Sequence, residues 1–411
     1  MDTPAFSPTG LAKIPCLLKT AIDAGDIPGI VSLIWHKGAI EQADAVGLRD
    51  IERRLPMDRR SIFAIASMSK PLTIVAALKL VQQGRMKLDD PITKWAPEFS
   101  DMRVLARPNS SFDDSYPSPR AITIEDLMTH RSGLSYGFLS SGPLAVALMK
   151  EFGFGIESNL TPDEWMKAMA SLPLAYAPGE RFNYGHSTDV LGVIVGRASN
   201  STLAEALQRE VCEPLGMHDT DFWIPPSKRD RAVTLYSASP QLNVFTPFLL
   251  SAFTGIGRQD FASGGQGLVS TADDYLSFAR MLIRGGRVEG RQYLKEELVR
   301  LMTTDRLTAA QRLISPLVAP SWSVAGFGLG VSVITDAQGY AASGWGVGST
   351  GSFGWPGLFG GWWQADPVQD VILIWLVQVT PPPPSPGVTP RFPGVTANRT
   401  FQRLAYSALS S

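Results

Sequence analysis

Apolar segments of β type stand at both ends of this chain, and helical patterns fill the stretch between them. Near the start, Ile30-Val31-Ser32-Leu33-Ile34-Trp35 leads through a turn at Lys37-Gly38 into a second run over residues 39–47, which is a hairpin signal. Near the end, residues 327–334, 360–365 and 371–379 are strand candidates, with 366–370 a turn between the last two. Residues 85–225 are mostly helical with long loops. The expected fold is a discontinuous α/β domain, residues 1–85 with 226–411, carrying an inserted, mainly helical domain over 86–225. Ligands tend to bind in the cleft between two such bodies.

The helices carry their own end signals. From Ser67 onward, Leu72, Val75, Leu78, Leu80 and Val81 make one broad apolar side, and Gly84 stops the helix. Pro71 falls in the first turn, where its missing N–H breaks no bond. A short helix is expected over 123–129, and another from Thr161-Pro162-Asp163-Glu164, with a threonine cap and acids in the first turn. Residues 190–199, 272–283 and 398–410 continue the series, and Pro381-Pro382-Pro383-Pro384-Ser385-Pro386 reads as a stiff connector. No internal repeat interrupts this order.

Charge and composition exclude several functions. The 37 basic and 38 acidic residues leave a net charge of −1 with no block of one sign, so neither nucleic acid nor an anionic membrane finds a partner surface. Two cysteines, Cys16 and Cys212, build neither a disulfide framework nor a metal cluster. The histidines His36, His130, His186 and His218 lack metal-ligand spacing, so no metal is expected. The N-terminal residues show no charged region followed by an apolar run, and the apolar stretch 371–379 is too short for a bilayer. A soluble, cytoplasmic chain is expected. Its oligomeric state is not encoded in any pattern.

Ser67-Met68-Ser69-Lys70 is the only Ser-x-x-Lys in the chain. At a helix start, positions i and i+3 share a face, so an ammonium stands one turn from a hydroxyl. A serine hydroxyl is a weak nucleophile until a neighbour takes its proton. A lysine does that only if its surroundings lower its pKa from about 10.4. Taken alone, the same four residues also describe an ordinary helix start with a solvated lysine.

Order and context add weight. The segment Phe63-Ala64-Ile65-Ala66-Ser67-Met68-Ser69-Lys70 resembles the nucleophile motif of the penicillin-recognising serine enzymes. That superfamily includes class C β-lactamases, D-alanyl-D-alanine peptidases and the related family VIII carboxylesterases. Residues 122–133, the segment Asn183-Tyr184-Gly185-His186, and Gly264-Gly265-Gln266-Gly267 with Asp273-Asp274 resemble its later motifs, in the right order from about residue 28 to about 378. The resemblance implies an α/β (α+β) fold with an antiparallel sheet flanked by helices. It also implies Ser67 as nucleophile, with Lys70 and Tyr184 handling its proton, and no cofactor. Tyr184 would be held partly as phenolate, take the Ser67 proton and return it to the leaving alcohol. His186 departs from the family, which usually has Asn there. It either fills that contact to substrate or lysine, or lines the wall.

The third motif sets the substrate class. β-Lactamases bind the substrate carboxylate with a Lys-Thr-Gly on an edge strand, and no lysine follows Lys295 here. The matching stretch is Trp355-Pro356-Gly357-Leu358, similar to the Trp-x-Gly of family VIII carboxylesterases. An indole in place of an ammonium removes the carboxylate's partner and adds apolar surface. A small-molecule carboxylic ester is therefore the expected substrate, with the N–H groups of Ser67 and Leu358 as oxyanion hole. Trp355, Gly357, His186, Tyr136 and Phe138 are the expected substrate contacts, and core packing is the competing reading of Trp355. Gly133-Leu134-Ser135-Tyr136-Gly137 satisfies Gly-x-Ser-x-Gly, yet that elbow needs a strand before the serine and a helix after it. Here a helix precedes and a loop follows. Three alternatives share the scaffold: an acyltransferase to a small acceptor, a β-lactamase or D-amino-acid amidase, and an inactive ligand-binding relative.

Overall fold

The computed structural model describes residues 6–153, 158–239, 244–248, 255, 257, 259–312, 323–380 and 393–409; the proline tract at 381–386 lies outside them. The N-terminal hairpin is β1 (Gly29–His36) and β2 (Ala39–Asp50), followed by a short β3 (Leu55–Pro56). The C-terminal third supplies β4 (Ala325–Phe327), β5 (Ser332–Ile334), β6 (Phe353–Gly354), β7 (Trp362–Asp366) and β8 (Val371–Leu376). They form one eight-stranded sheet in the order β4-β5-β6-β7-β8-β1-β2-β3, with every neighbouring pair antiparallel. The two ends of the chain meet at its centre, where β1 lies on β8 from Val31 opposite Leu376 to His36 opposite Val371.

Both faces of that central pair are covered, which explains its continuous apolar runs. Ile30, Ile34, Val371, Leu373 and Trp375 point to one side, under the helices α1 (Lys13–Asp23) and α7 (Val395–Ala408). Val31, Leu33, Trp35, Ile372 and Ile374 point to the other, against α2 (Ser69–Gln82) and α6 (Ala272–Ile283). Between these come α3 (Ile124–Met128), α4 (Pro162–Ala170) and α5 (Ser187–Ser199). The expected threonine caps form: Thr123 with Asp126, and Thr161 with Glu164, each bond in both directions. Among the described residues no helix is long and apolar enough to cross a membrane.

Three strand expectations change. Residues 327–334 are two strands rather than one, because Gly328 N–H closes on the Val331 carbonyl (2.8 Å) and Gly330 takes φ +77°. The strand expected from 360 starts at Trp362, since Gly357 N–H bonds the Gly361 carbonyl (2.7 Å) in a tight turn. The run 371–379 leaves the sheet at Leu376, and Val379–Thr380 pairs in parallel with Tyr236–Ala238. The middle of the chain also holds a hairpin, Arg103–Leu105 with Ser115–Pro117, that the helical reading missed.

Candidate active site

Strand pairing places Ser67. Phe63–Ala64 pairs antiparallel with Val269–Ser270, and Ile65 N–H donates to the Leu268 carbonyl at 2.9 Å. The chain then turns through the short segment Ala66–Met68 into α2. Ala66 sits in the left-handed region at φ +44°, at a cost of roughly 1–2 kcal/mol for an alanine. Such strain persists only where the surroundings over-determine it. Here Tyr275 donates to the Met68 carbonyl (2.9 Å), Thr73 to the Gly264 carbonyl (2.7 Å), and Leu268 N–H to Ser69 Oγ (3.1 Å).

Lys70 is wholly buried, and its Nζ donates to the Gly265 carbonyl (2.8 Å), Ser67 Oγ (3.2 Å) and the Tyr136 hydroxyl (3.3 Å). Three acceptors satisfy an ammonium. A neutral amine keeps two N–H bonds and turns its lone pair to the Ser67 hydroxyl, which is what a general base must do. Tyr184 lies across the same nitrogen, its ring centroid 4.6 Å from Nζ, and its hydroxyl accepts the Trp355 indole N–H at 3.2 Å. The neighbouring Asn183 anchors this segment by donating to the Leu134 carbonyl (2.9 Å) and to Ser135 Oγ (2.6 Å). Ser135 is thus a structural acceptor, buried, and followed by the single turn Gly137–Leu139 rather than a helix. No nucleophile elbow forms there.

The remaining candidates are distributed differently from the sequence reading. Tyr136, expected on the pocket wall, is 1% exposed, with its hydroxyl on Lys70. Burial, together with the charge of Asp189, holds its phenol well above the ordinary range, so it stays protonated. Phe138 stacks on Tyr136 (5.1 Å, 12°) and is 38% exposed, as a wall residue would be. His186 is fully buried between Tyr136, Phe152 and Trp165, and its Nδ1–H donates to Asp189 Oδ2 (2.9 Å). It faces that carboxylate. Trp355 packs with Phe182, Phe327 and Leu307, as the packing reading has it, while its N–H reaches the Tyr184 hydroxyl.

Gly357 lets the 355–358 loop lean on the Ala66–Met68 turn. A Cβ there would lie 2.6 Å from the Ile65 carbonyl, and the next side chain, Leu358, packs with Ala66 and Phe359. His130, at φ +53°, packs its ring 4.6 Å from that of Tyr184. Burial, and then the Lys70 charge, push its pKa well below the usual histidine range, so the imidazole is neutral. Among the described residues no three His, Cys, Asp or Glu side chains gather to hold a metal ion.

The family model described as Beta-lactamase matches residues 17–396 of this sequence. The chain belongs to the beta-lactamase family. Within that family it is 31% identical over 385 residues to Esterase EstB of Burkholderia gladioli, covering 89% of this chain and 90% of that one. It is 44% identical over 365 residues to Protein Rv1367c of Mycobacterium tuberculosis, covering 89% of each chain. Among solved structures, EstCE1, a hydrolase with promiscuous acyltransferase activity, matches with TM-score 0.79 at 27% identity, over 97% of this chain and 99% of that one. A class C beta-lactamase shares the fold with TM-score 0.70 at 14% identity, over 98% of each chain.

In this family member the site also uses residues that sequence reasoning passed over. Asp189 falls in the first turn of α5, one residue before the helix expected from 190, and carried no signal there. Gly265 lay in a recognised motif without an assigned contact, and His130 sat at a helix exit. A glycine pair before a strand was the one available signal.

Proposed function

We propose that this protein is a serine carboxylesterase acting through an acyl-enzyme on Ser67. The observation that carries the proposal is the buried Lys70 Nζ at 3.2 Å from Ser67 Oγ, with Tyr184 across the same nitrogen. In the first step Ser67 Oγ attacks the ester carbonyl and its proton passes to the Lys70–Tyr184 pair. The oxyanion is held by the N–H groups of Ser67 and Leu358, and the alcohol leaves with the returned proton. Water then repeats the sequence and releases the acid. Negative charge passing through the Tyr184 oxygen meets the Trp355 N–H already aimed at it. With no lysine after Lys295, a substrate carboxylate lacks the charge partner that Lys-Thr-Gly enzymes provide, which favours neutral esters.

The names of relatives support two outcomes for the acyl group. Alongside the esterase relative, a chain from Aspergillus terreus called Monacolin J acid methylbutanoyltransferase is 29% identical over 288 residues, covering 65% of each chain. Transfer to an acceptor alcohol is therefore the second reading. The test is hydrolysis of p-nitrophenyl butyrate by wild type, Ser67→Ala and Ser135→Ala, with mass spectrometry of trapped acyl groups and product analysis with added alcohols. Loss of turnover and labelling in Ser67→Ala alone is the expected result. An inactive Ser135→Ala beside an active Ser67→Ala refutes the assignment.

A further inference from the structure

Asp189 is 0% exposed, and a carboxylate so placed needs its charge met by donors. Three reach it: Ser263 Oγ (2.5 Å) and Gly265 N–H (3.0 Å) on Oδ1, and His186 Nδ1–H (2.9 Å) on Oδ2. Gly265 is bonded through both of its backbone groups, since its carbonyl accepts from Lys70 Nζ at 2.8 Å. That is the shortest of the three Lys70 contacts, those to Ser67 and Tyr136 being 3.2 and 3.3 Å. The carboxylate is therefore one residue away from the amine it cannot touch directly. Only glycine permits this approach, because a Cβ at 265 would lie 2.9 Å from Asp189 Oδ1 and 3.2 Å from the Tyr136 hydroxyl. Thr73 holds the other end of the same peptide unit, donating to the Gly264 carbonyl at 2.7 Å.

We infer that Asp189 is a positioning residue for acyl transfer: it holds the N–H side of Gly265 so that the carbonyl on the other side of the same Cα fixes the Lys70 amine against Ser67. The inference rests on the reading of Ser67 and Lys70 as the reacting pair. Asp189 touches neither the nucleophile nor the leaving group, so its loss should fall on the rate of acylation and leave ester binding alone. What matters is an acceptor oxygen at the Gly265 N–H, and an asparagine supplies one. Ser263 works on both sides: its Oγ holds Oδ1, and it accepts from Gln266 N–H at 3.1 Å, in the peptide unit that carries the Gly265 carbonyl. The ionisable groups around Lys70 are Tyr136, Tyr184 and the neutral His130, and burial and then the Asp189 charge raise the Tyr136 phenol. Asparagine removes that charge while keeping the acceptor at Gly265, so the Ala–Asn comparison separates the two effects.

The test compares full-length wild type with Asp189→Ala, Asp189→Asn, Ser263→Ala and Ser67→Ala on p-nitrophenyl butyrate, with a thermal melt of each. Asp189→Ala is expected to lose roughly 100-fold in kcat, the scale of a small misplacement of a reacting group, with KM within about threefold of wild type. Asp189→Asn is expected to recover most of that rate, and Ser263→Ala to lose roughly tenfold in kcat at unchanged KM. Should Asp189→Ala fail to fold, the Asp189→Asn and Ser263→Ala pair still decides. The inference is overturned if folded Asp189→Ala or Ser263→Ala keeps the wild-type kcat, if the loss falls on KM, or if Asp189→Asn is as slow as Asp189→Ala. Turnover by Ser67→Ala would instead overturn the acyl-enzyme reading itself. An inactive Ser67→Ala with wild-type Asp189 variants would overturn only the role of Asp189.

Discussion

Replacing Trp355 with phenylalanine asks how much charge the Tyr184 oxygen carries during catalysis. The indole N–H donates to that oxygen at 3.2 Å, and the ring is otherwise packed against Phe327 (5.1 Å) and Tyr184 (5.5 Å). Phenylalanine keeps an aromatic face there and deletes the donor. A hydrogen bond between neutral partners contributes about 1 kcal/mol, so a spectator phenol would lose only about fivefold in kcat/KM. A bond to a charged oxygen contributes about 1.5–3 kcal/mol, which corresponds to a loss of roughly 10- to 150-fold. The larger range is expected, because Tyr184 is read as the carrier of the Ser67 proton. The smaller ring also leaves space in a 7% exposed site, so a lower melting temperature accompanies the change. The assay is kcat/KM on p-nitrophenyl butyrate for Trp355→Phe, Tyr184→Phe and the double variant. If the bond acts through Tyr184, the double variant is no slower than Tyr184→Phe. A loss of fivefold or less in Trp355→Phe, or additive losses in the double variant, refutes the reasoning.

Gly357→Ala brings a Cβ to 2.6 Å from the Ile65 carbonyl, so the loop carrying Leu358 must retreat from the Ala66–Met68 turn. A drop of roughly 100-fold in kcat is expected, the scale of losing one oxyanion donor, and a kcat within a few-fold of wild type would remove Leu358 from that role. His130 has a folded pKa pushed well below 6.5 by burial and by Lys70, so the unfolded chain binds more protons in acid. Its contribution to stability is thus present above the unfolded pKa and is lost as pH falls below about 6.5. His130→Asn, a residue that tolerates the positive φ, should show a flatter fall in melting temperature between pH 7 and 5 than wild type, and parallel curves would contradict this. Nitrocefin should be cleaved far more slowly than the butyrate ester, and comparable rates would revive the lactamase alternative.

What the sequence determined alone is local. The hairpin at 29–50, the threonine caps at 123 and 161, and the Ser67–Lys70 spacing depend on neighbours within a turn or a strand, and all stand in the structure. The strand ends at 328–330 and 357–361 were misplaced because glycine turns close on backbone partners that periodicity does not see. Tertiary structure decided the company of Lys70. Tyr136, Tyr184 and Gly265 come from three separated segments, brought to one nitrogen by the packing of α2 on the 264–268 stretch and by the bonds of Asn183 to Leu134 and Ser135. Tyr136 and Phe138, two residues apart and alike by composition, end up 1% and 38% exposed because one hydroxyl finds the buried Lys70 nitrogen. His186 turned inward for the same kind of reason: a buried carboxylate at Asp189 needs donors, and a ring one helical turn away supplies one.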